Sequence, residues 1–142
     1  MNLQQGYNQL LGLSAAAIRL GPGFEKRAEL KNIDKDIRAL GKAGKEDIKK
    51  HGLASVYGTK GASITDPQQR DVEEARTERL VQHAELSAKR ARIKPTAKFT
   101  RDAKFWAQRA QQDVMVKAEM KVLGREKVKA LLERLQGGKD GK

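Results

Sequence analysis

Three prolines divide this chain into segments whose apolar residues recur with the period of an α-helix. They stand at Pro22, Pro67 and Pro95. Each is placed where a helix is expected to begin or end, because proline has no backbone N–H to donate to the helical ladder. Between them, apolar residues return every three or four positions, which places them on one helical face. The pattern predicts an all-α protein of extended amphipathic helices.

The balance of apolar and charged residues limits how large a core these helices can build. Of the 142 residues, 38% are hydrophobic and 34% are charged. We therefore expect the helices to complete their burial against each other or against partner subunits, in an oligomeric or coiled-coil-like arrangement. The chain contains no cysteine, which excludes disulfides and thiolate metal sites.

Glycines and prolines also predict the organisation along the chain. An apolar helix over residues 2–20 is expected to turn at a Gly-Pro-Gly sequence into a second helix that ends near Leu40, forming an αα-hairpin. Five glycines then interrupt the apolar pattern. The predicted regions are residues 1–40, a helical hairpin; 41–65, a flexible linker; 66–136, a basic helical region; and 137–142, a disordered tail.

Two long helices are predicted in the basic helical region. The first begins at Asp66, which is placed to cap it, and ends near Ile93, before Pro95. The second begins between Thr96 and Thr100 and reaches Leu135, where two glycines follow. Its apolar stripe changes face between residues 115 and 123, so either Gly124 divides it into two helices or this stretch meets a second partner.

Positive charge is concentrated between residues 89 and 109. Eight basic side chains oppose the single acid Asp102, which makes a local charge of +7 within a whole-chain net charge of +12. Three of the six aromatic residues, Phe99, Phe105 and Trp106, lie in the same segment. Cations interleaved with aromatic rings are typical of a surface that binds a polyanion, most often nucleic acid.

The helical wheel separates the three aromatic side chains. Phe99 and Trp106 fall on the packing stripe, whereas Phe105 falls among the cations, where it could stack on a base, contact an arginine or enter a neighbouring subunit. A basic face that only keeps the protein soluble is the alternative interpretation. The predicted nucleic-acid-binding residues are Lys89, Arg90, Arg92, Lys94, Lys98, Arg101, Lys104, Phe105 and Arg109.

No arrangement of residues in the chain predicts catalysis. His51 and His83 are far apart and have no carboxylate at metal-ligand spacing, so each is interpreted as a surface histidine. Glu73, Glu74 and Glu78 lie on a highly charged helix and are expected to be solvated. We therefore predict a protein that is not an enzyme and has no metal or cofactor.

The first forty residues resemble a group of bacteriophage proteins. The opening Asn2-Leu-Gln-Gln-Gly-Tyr-Asn-Gln-Leu-Leu-Gly-Leu-Ser-Ala-Ala-Ala17, followed by Gly21-Pro-Gly-Phe24 and a charged helix, is similar to the internal, DNA-pilot-type minor virion proteins of tailless single-stranded DNA phages. The resemblance implies a non-enzymatic helical protein packaged with the genome. It assigns no site residues, and this chain is short and has no convincing membrane helix.

Taken together, these features predict a nucleic-acid-associated helical protein, one case of which would be a virion or packaging component. Its partners would be the DNA or RNA backbone, further copies of itself through the helical stripes, and other virion proteins; the location would be the virion or the cytoplasm. One alternative is a structural adaptor that binds another protein. Another is a peripheral membrane protein bound through residues 1–20, although the short apolar runs argue against a membrane partner.

Overall fold

A computed structural model of the chain describes residues 22–52 and 66–139. The predicted all-α class is confirmed, since these residues are 90% helical and contain no strand, and the helices of residues 67–139 pack as a bundle. The predicted helix over residues 2–20, and with it the αα-hairpin, lies outside the described residues. The helices are α1, Pro22–His51; α2, Pro67–Ile93; α3, Ala97–Glu119; and α4, Arg125–Lys139.

The chain divides into two compact units, residues 1–35 and residues 36–142. In the first unit the described residues are the opening turns of α1, where Ile33 is only 3% exposed. The second unit contains the rest of α1 together with α2, α3 and α4. In α1 the apolar residues Leu30, Ile37 and Leu40 are half-buried, whereas most charged residues between them are exposed.

Helix α1 is longer than the sequence pattern predicted. Residues 41–51 were assigned to a flexible linker on the evidence of Gly41 and Gly44, but they continue the helix to His51. Each glycine costs about 1 kcal/mol relative to alanine in a helix. Contacts distant in sequence favour the helix, because the Asp47 carboxylate pairs with the guanidinium groups of Arg76 and Arg79 in α2. Residues 53–65 of the predicted linker lie outside the described residues.

Helices α2 and α3 form an antiparallel hairpin around Pro95. The predicted start of α2 is confirmed: the Asp66 carboxylate accepts a hydrogen bond of 3.2 Å from the backbone N–H of Gln68, and Pro67 follows. At the start of α3, the hydroxyl of Thr96 accepts a hydrogen bond of 3.1 Å from the N–H of Phe99. Both caps satisfy donors that have no partner inside the helix.

The predicted single helix from about residue 96 to Leu135 is wrong, and the alternative of two helices is confirmed. Helix α3 ends in a Schellman motif, in which the N–H of Val122 donates to the carbonyl of Lys117 and the N–H of Lys121 donates to that of Ala118. Lys121 takes the left-handed conformation, with φ 60°. The turn buries Met120, Val122 and Leu123, so burial offsets the cost of this conformation.

Helix α4 does not stop at the paired glycines that were expected to end it. It continues through Gly137 to Lys139, so the tail predicted to be disordered is helical at its first residues. Residues 140–142 lie outside the described residues. The core lies between α2, α3 and α4, with additional half-buried apolar side chains around it. Its buried members are Val81, Ala84, Ala110, Val114, Met120, Val122, Leu123 and Leu131.

Candidate nucleic-acid interface

The α2–α3 hairpin brings the predicted binding residues to the end of the bundle that contains Pro95. Lys89, Arg90 and Arg92 lie in the last turns of α2, Lys94 lies in the connection, and the others lie between Lys98 and Arg109 of α3. Because the two helices are antiparallel, the last turns of α2 lie beside the first turns of α3. Lys94 and the residues named from α2 and α3 therefore belong to one end of the hairpin, which we call the basic end (residues 89–109).

The guanidinium of one predicted residue, Arg90, is not available to a ligand. Its side chain is 15% exposed, its guanidinium lies 4.4 Å from the centre of the Phe99 ring, and it donates a hydrogen bond of 3.2 Å to Asp102. A guanidinium over an aromatic face and next to a carboxylate stabilises the contact between α2 and α3. Arg90 is therefore a packing residue in this fold.

The other seven cations of the basic end are exposed. One of the seven, Arg92, also interacts with another group of the protein. For the remaining six, no carboxylate in residues 22–52 or 66–139 forms an ion pair with the charged group. A cation that the protein does not neutralise keeps its charge available to an external anion. These six cations are Lys89, Lys94, Lys98, Arg101, Lys104 and Arg109.

The exposed cations do not all lie on one side of the hairpin. Arg92 and Lys104 line a groove of about 560 Å³ on the side that α4 covers in part. At 100° per residue, Lys98, Phe105 and Arg109 fall together on the opposite side of α3, with Arg101 nearby. The predicted group is thus split into a groove side, rich in alanine, and a second side that holds the exposed aromatic ring.

Phe105 is 55% exposed and is held against a second aromatic side chain. The centres of the Phe105 and Trp106 rings are 5.1 Å apart, and their planes are nearly perpendicular at 84°. Trp106 in turn stacks on His83 in α2, with ring centres 3.8 Å apart and planes at 20°. The prediction that Trp106 and Phe99 belong to the packing face is confirmed, because Trp106 packs against the core and Phe99 is half-buried.

His83 is not the surface histidine that was predicted from the sequence. Its ring is half-buried against Trp106. Burial lowers the pKa of His83 below its ordinary value of 6.5, and the guanidinium of Arg90 lowers this pKa further, whereas the carboxylate of Asp102 raises it. No spacing rule could identify this partner of Trp106, since the two residues come from different helices.

The far end of the same hairpin contains a buried ionic cluster, Glu73, Thr77, Asp113 and Lys117. The ammonium of Lys117 lies 3.2 Å from carboxylate oxygens of both Glu73 and Asp113, and the hydroxyl of Thr77 donates to Asp113 over 2.6 Å. Glu73 was predicted to be solvated, yet it is 2% exposed, and Lys117 is 1% exposed. One feature of the sequence could have indicated that Lys117 is buried: it falls on the apolar stripe of its helix, where an apolar residue is expected.

Further ion pairs are formed next to this cluster. Arg76 donates to the other oxygen of Glu73 over 2.9 Å, so that carboxylate has two cationic partners. In α4, Arg134 binds Glu85 and also Glu78, the latter over 2.7 Å, and these hydrogen bonds raise the pKa of Arg134. Each charge in these groups is balanced within the protein. Removing one partner from such a group would leave an uncompensated buried charge.

Comparisons with known proteins add no further assignment. No family model, curated protein or solved structure matches the chain. In the described residues, no three metal-ligating side chains lie close enough together to hold an ion. None of the described helices is long and apolar enough to cross a membrane.

Proposed function

We propose that this protein binds the phosphate backbone of nucleic acid through its basic end, without reading the base sequence and without catalysing a reaction. The observation that carries the proposal is the set of six exposed cations that have no carboxylate partner in the described chain. Elsewhere in the bundle, Lys117, Arg76 and Arg134 are each paired with carboxylates. These three cations are thus paired within the protein, whereas the six of the basic end are concentrated within 21 residues and are left to an external anion.

Non-specific binding fits the side chains at this end. The exposed groups are lysine and arginine, which contact phosphates and release counterions. Base-specific contacts with adenine use asparagine or glutamine. Within residues 89–109 eight cations are accompanied by a single such side chain, Gln108. The chain's net charge of +12 adds a long-range attraction to any polyanion.

The test measures nucleic-acid affinity over a range of salt concentrations. Affinity is determined from the fluorescence anisotropy of labelled oligonucleotides of mixed sequence. We expect affinity to fall by a factor of about 10³ between 50 and 200 mM salt if six phosphates are contacted. The variant K98Q/R101Q/R109Q should bind more weakly and show a shallower salt dependence. Its matched control, K26Q/R27Q/K31Q, removes the same charge from exposed positions of α1. Equal losses in both variants would contradict a site at the basic end.

The groove beside α4 favours a second candidate function, an adaptor that binds another protein. Its floor is formed by small and apolar side chains, among them Ala88, Ala91 and Ala107, and such a groove suits an amphipathic helix. Sedimentation of the isolated chain, with and without nucleic acid, separates the two functions. A chain whose sedimentation does not change when nucleic acid is added would favour the adaptor.

A setting in a virion is part of the first proposal. The resemblance to internal virion proteins rests on residues 2–24 and a charged helix, and residues 2–21 lie outside the described part of the chain. A protein packaged with a genome would need the non-specific, charge-driven binding proposed here. Detection of the protein in purified particles together with their nucleic acid would test this setting directly.

A further inference from the structure

The exposed ring of Phe105 points to a preference that charge alone does not explain. Phe105 shares one face of α3 with Lys98, Arg101 and Arg109, at positions −7, −4 and +4 from the ring. An apolar ring that is 55% exposed among cations gains little from burial within the protein. The cations would be sufficient for phosphate binding, and the ring adds an apolar surface beside them that a ligand with apolar faces next to its phosphates could contact.

We propose that Phe105 is a stacking platform for an unpaired base, so that the ligand of the basic end is single-stranded nucleic acid. This inference rests on the proposed function and specifies its substrate class. A single strand offers both a phosphate chain and free base faces, whereas the base faces of a duplex are covered by neighbouring base pairs. Lys98 to Arg109 spans about 16 Å along α3, which places cations on both sides of the ring.

The ring is held in place before any ligand arrives. Trp106 packs against the core and stacks on His83, and its ring meets that of Phe105 nearly at right angles. Packing of this kind restricts the rotation of Phe105 while leaving more than half of its surface free. A side chain that is already ordered loses less conformational entropy when a base stacks on it.

The experiment measures the affinity of the full chain for three labelled ligands of equal length. They are oligothymidylate, a duplex, and a strand of abasic sugar phosphates. We expect wild type to bind oligothymidylate more tightly than the abasic strand. In the variant F105L, oligothymidylate binding should weaken by about 10-fold, while the affinities for the duplex and the abasic strand and the slope of affinity against salt stay unchanged. The variant F105W should restore oligothymidylate binding.

A matched control is provided by Met115, which is 50% exposed on the same helix. The variant M115A should bind all three ligands as wild type does, and circular dichroism should show equal helix content in every variant. If F105L binds oligothymidylate as tightly as wild type, or loses affinity equally for all three ligands, the stacking inference is wrong while salt-dependent binding still supports the proposed function. If wild type binds none of the ligands, the proposed function fails as well.

Discussion

The two ends of the α2–α3 hairpin use charge in opposite ways. At the end far from Pro95, Lys117 lies between Glu73 and Asp113, and all three are almost completely buried. At the basic end, Lys98 and Lys104 of the same helix α3 are exposed, and no carboxylate of the described residues pairs with them. One helix therefore carries lysines that stabilise the fold and lysines that are available to a ligand.

The difference shows that the count of charges in a segment does not identify its function. Removing an ammonium group from water costs several kcal/mol, so a buried lysine persists only with carboxylate partners. An exposed lysine has no such requirement and contributes little to stability. Where a charge lies relative to the core decides whether it serves the fold or remains free for a partner.

The largest expected effect comes from breaking the buried ionic cluster. The variant K117M removes the ammonium and leaves the carboxylates of Glu73 and Asp113 buried around an uncharged side chain. We expect the free energy of unfolding, measured by urea denaturation, to fall by about 3–5 kcal/mol. The variant E73L/D113L/K117M, which removes all three charges, should recover most of that loss. A K117M protein as stable as wild type would show that the cluster contributes nothing to stability.

A smaller loss is expected at Arg90, the one arginine of the basic end that packs inside the hairpin. The variant R90Q removes its contact with the Phe99 ring and its hydrogen bond to Asp102. The expected cost is about 1–2 kcal/mol in urea denaturation. The control R101Q changes an exposed arginine and should leave stability unchanged. If R90Q and R101Q behave alike, Arg90 belongs with the exposed cations after all.

The turn that closes the buried end offers a stabilising change. Lys121 takes a left-handed conformation that glycine adopts without steric cost. We expect K121G to raise the unfolding free energy by about 1 kcal/mol. Thermal denaturation followed by circular dichroism measures this, with K121A as the control that should bring no gain. A loss of stability in K121G would mean that the lysine side chain itself stabilises the turn.

The pH dependence of stability should reflect His83. Its pKa is lowered in the folded state, so between the folded value and 6.5 the unfolded chain binds more protons than the native one. The contribution of neutral His83 is thus fully present above pH 6.5 and is lost as the pH falls below it. We expect the His83 titration, followed by NMR, to move to higher pH in R90Q and to lower pH in D102N. Shifts of the opposite sign would contradict the assigned causes.

The smallest effect on stability is expected from the exposed cations themselves. The variant K98Q/R101Q/R109Q should change the unfolding free energy by less than about 0.5 kcal/mol, because exposed side chains without packed partners contribute little. At low salt it should gain stability slightly, since neutralising three cations reduces repulsion in a protein of net charge +12. Urea denaturation at low and high salt measures both. A large loss of stability would show that the exposed cations stabilise the fold as the buried cluster does, so that the two ends of the hairpin would not differ in this respect.

Much of the fold could be predicted from local pattern. The start of α2 at Asp66 and Pro67 and the end of α2 before Pro95 follow from backbone chemistry that a single residue imposes. Helix ends that depend on packing were missed. Gly41, Gly44 and Gly137 lie inside helices, whereas α3 ends at a lysine in a left-handed turn, because buried residues on either side of that turn outweigh the preference of Lys121.

The candidate site was likewise predictable only in part. The wheel placed Phe105 among exposed cations and Trp106 on the packing face, and the structure agrees with both. The helical wheel could not show that Arg90 is a packing residue and not a binding residue. The Phe99 ring and the carboxylate of Asp102 contact its guanidinium only after α3 folds back on α2. Nor could the wheel show that Arg92 of α2 and Lys104 of α3 line one groove beside α4.

By itself, the sequence determined the helical class, the bounds of α2 and the segment in which positive charge accumulates, because these depend on residues near one another in the chain. Only the tertiary structure decided which charges are buried and paired. Glu73 and Lys117 are 44 residues apart in sequence, and their charges are compatible with the core only when α2 and α3 bring them within 3.2 Å. The energy of a charge depends on its surroundings, and the surroundings are assembled by the whole chain.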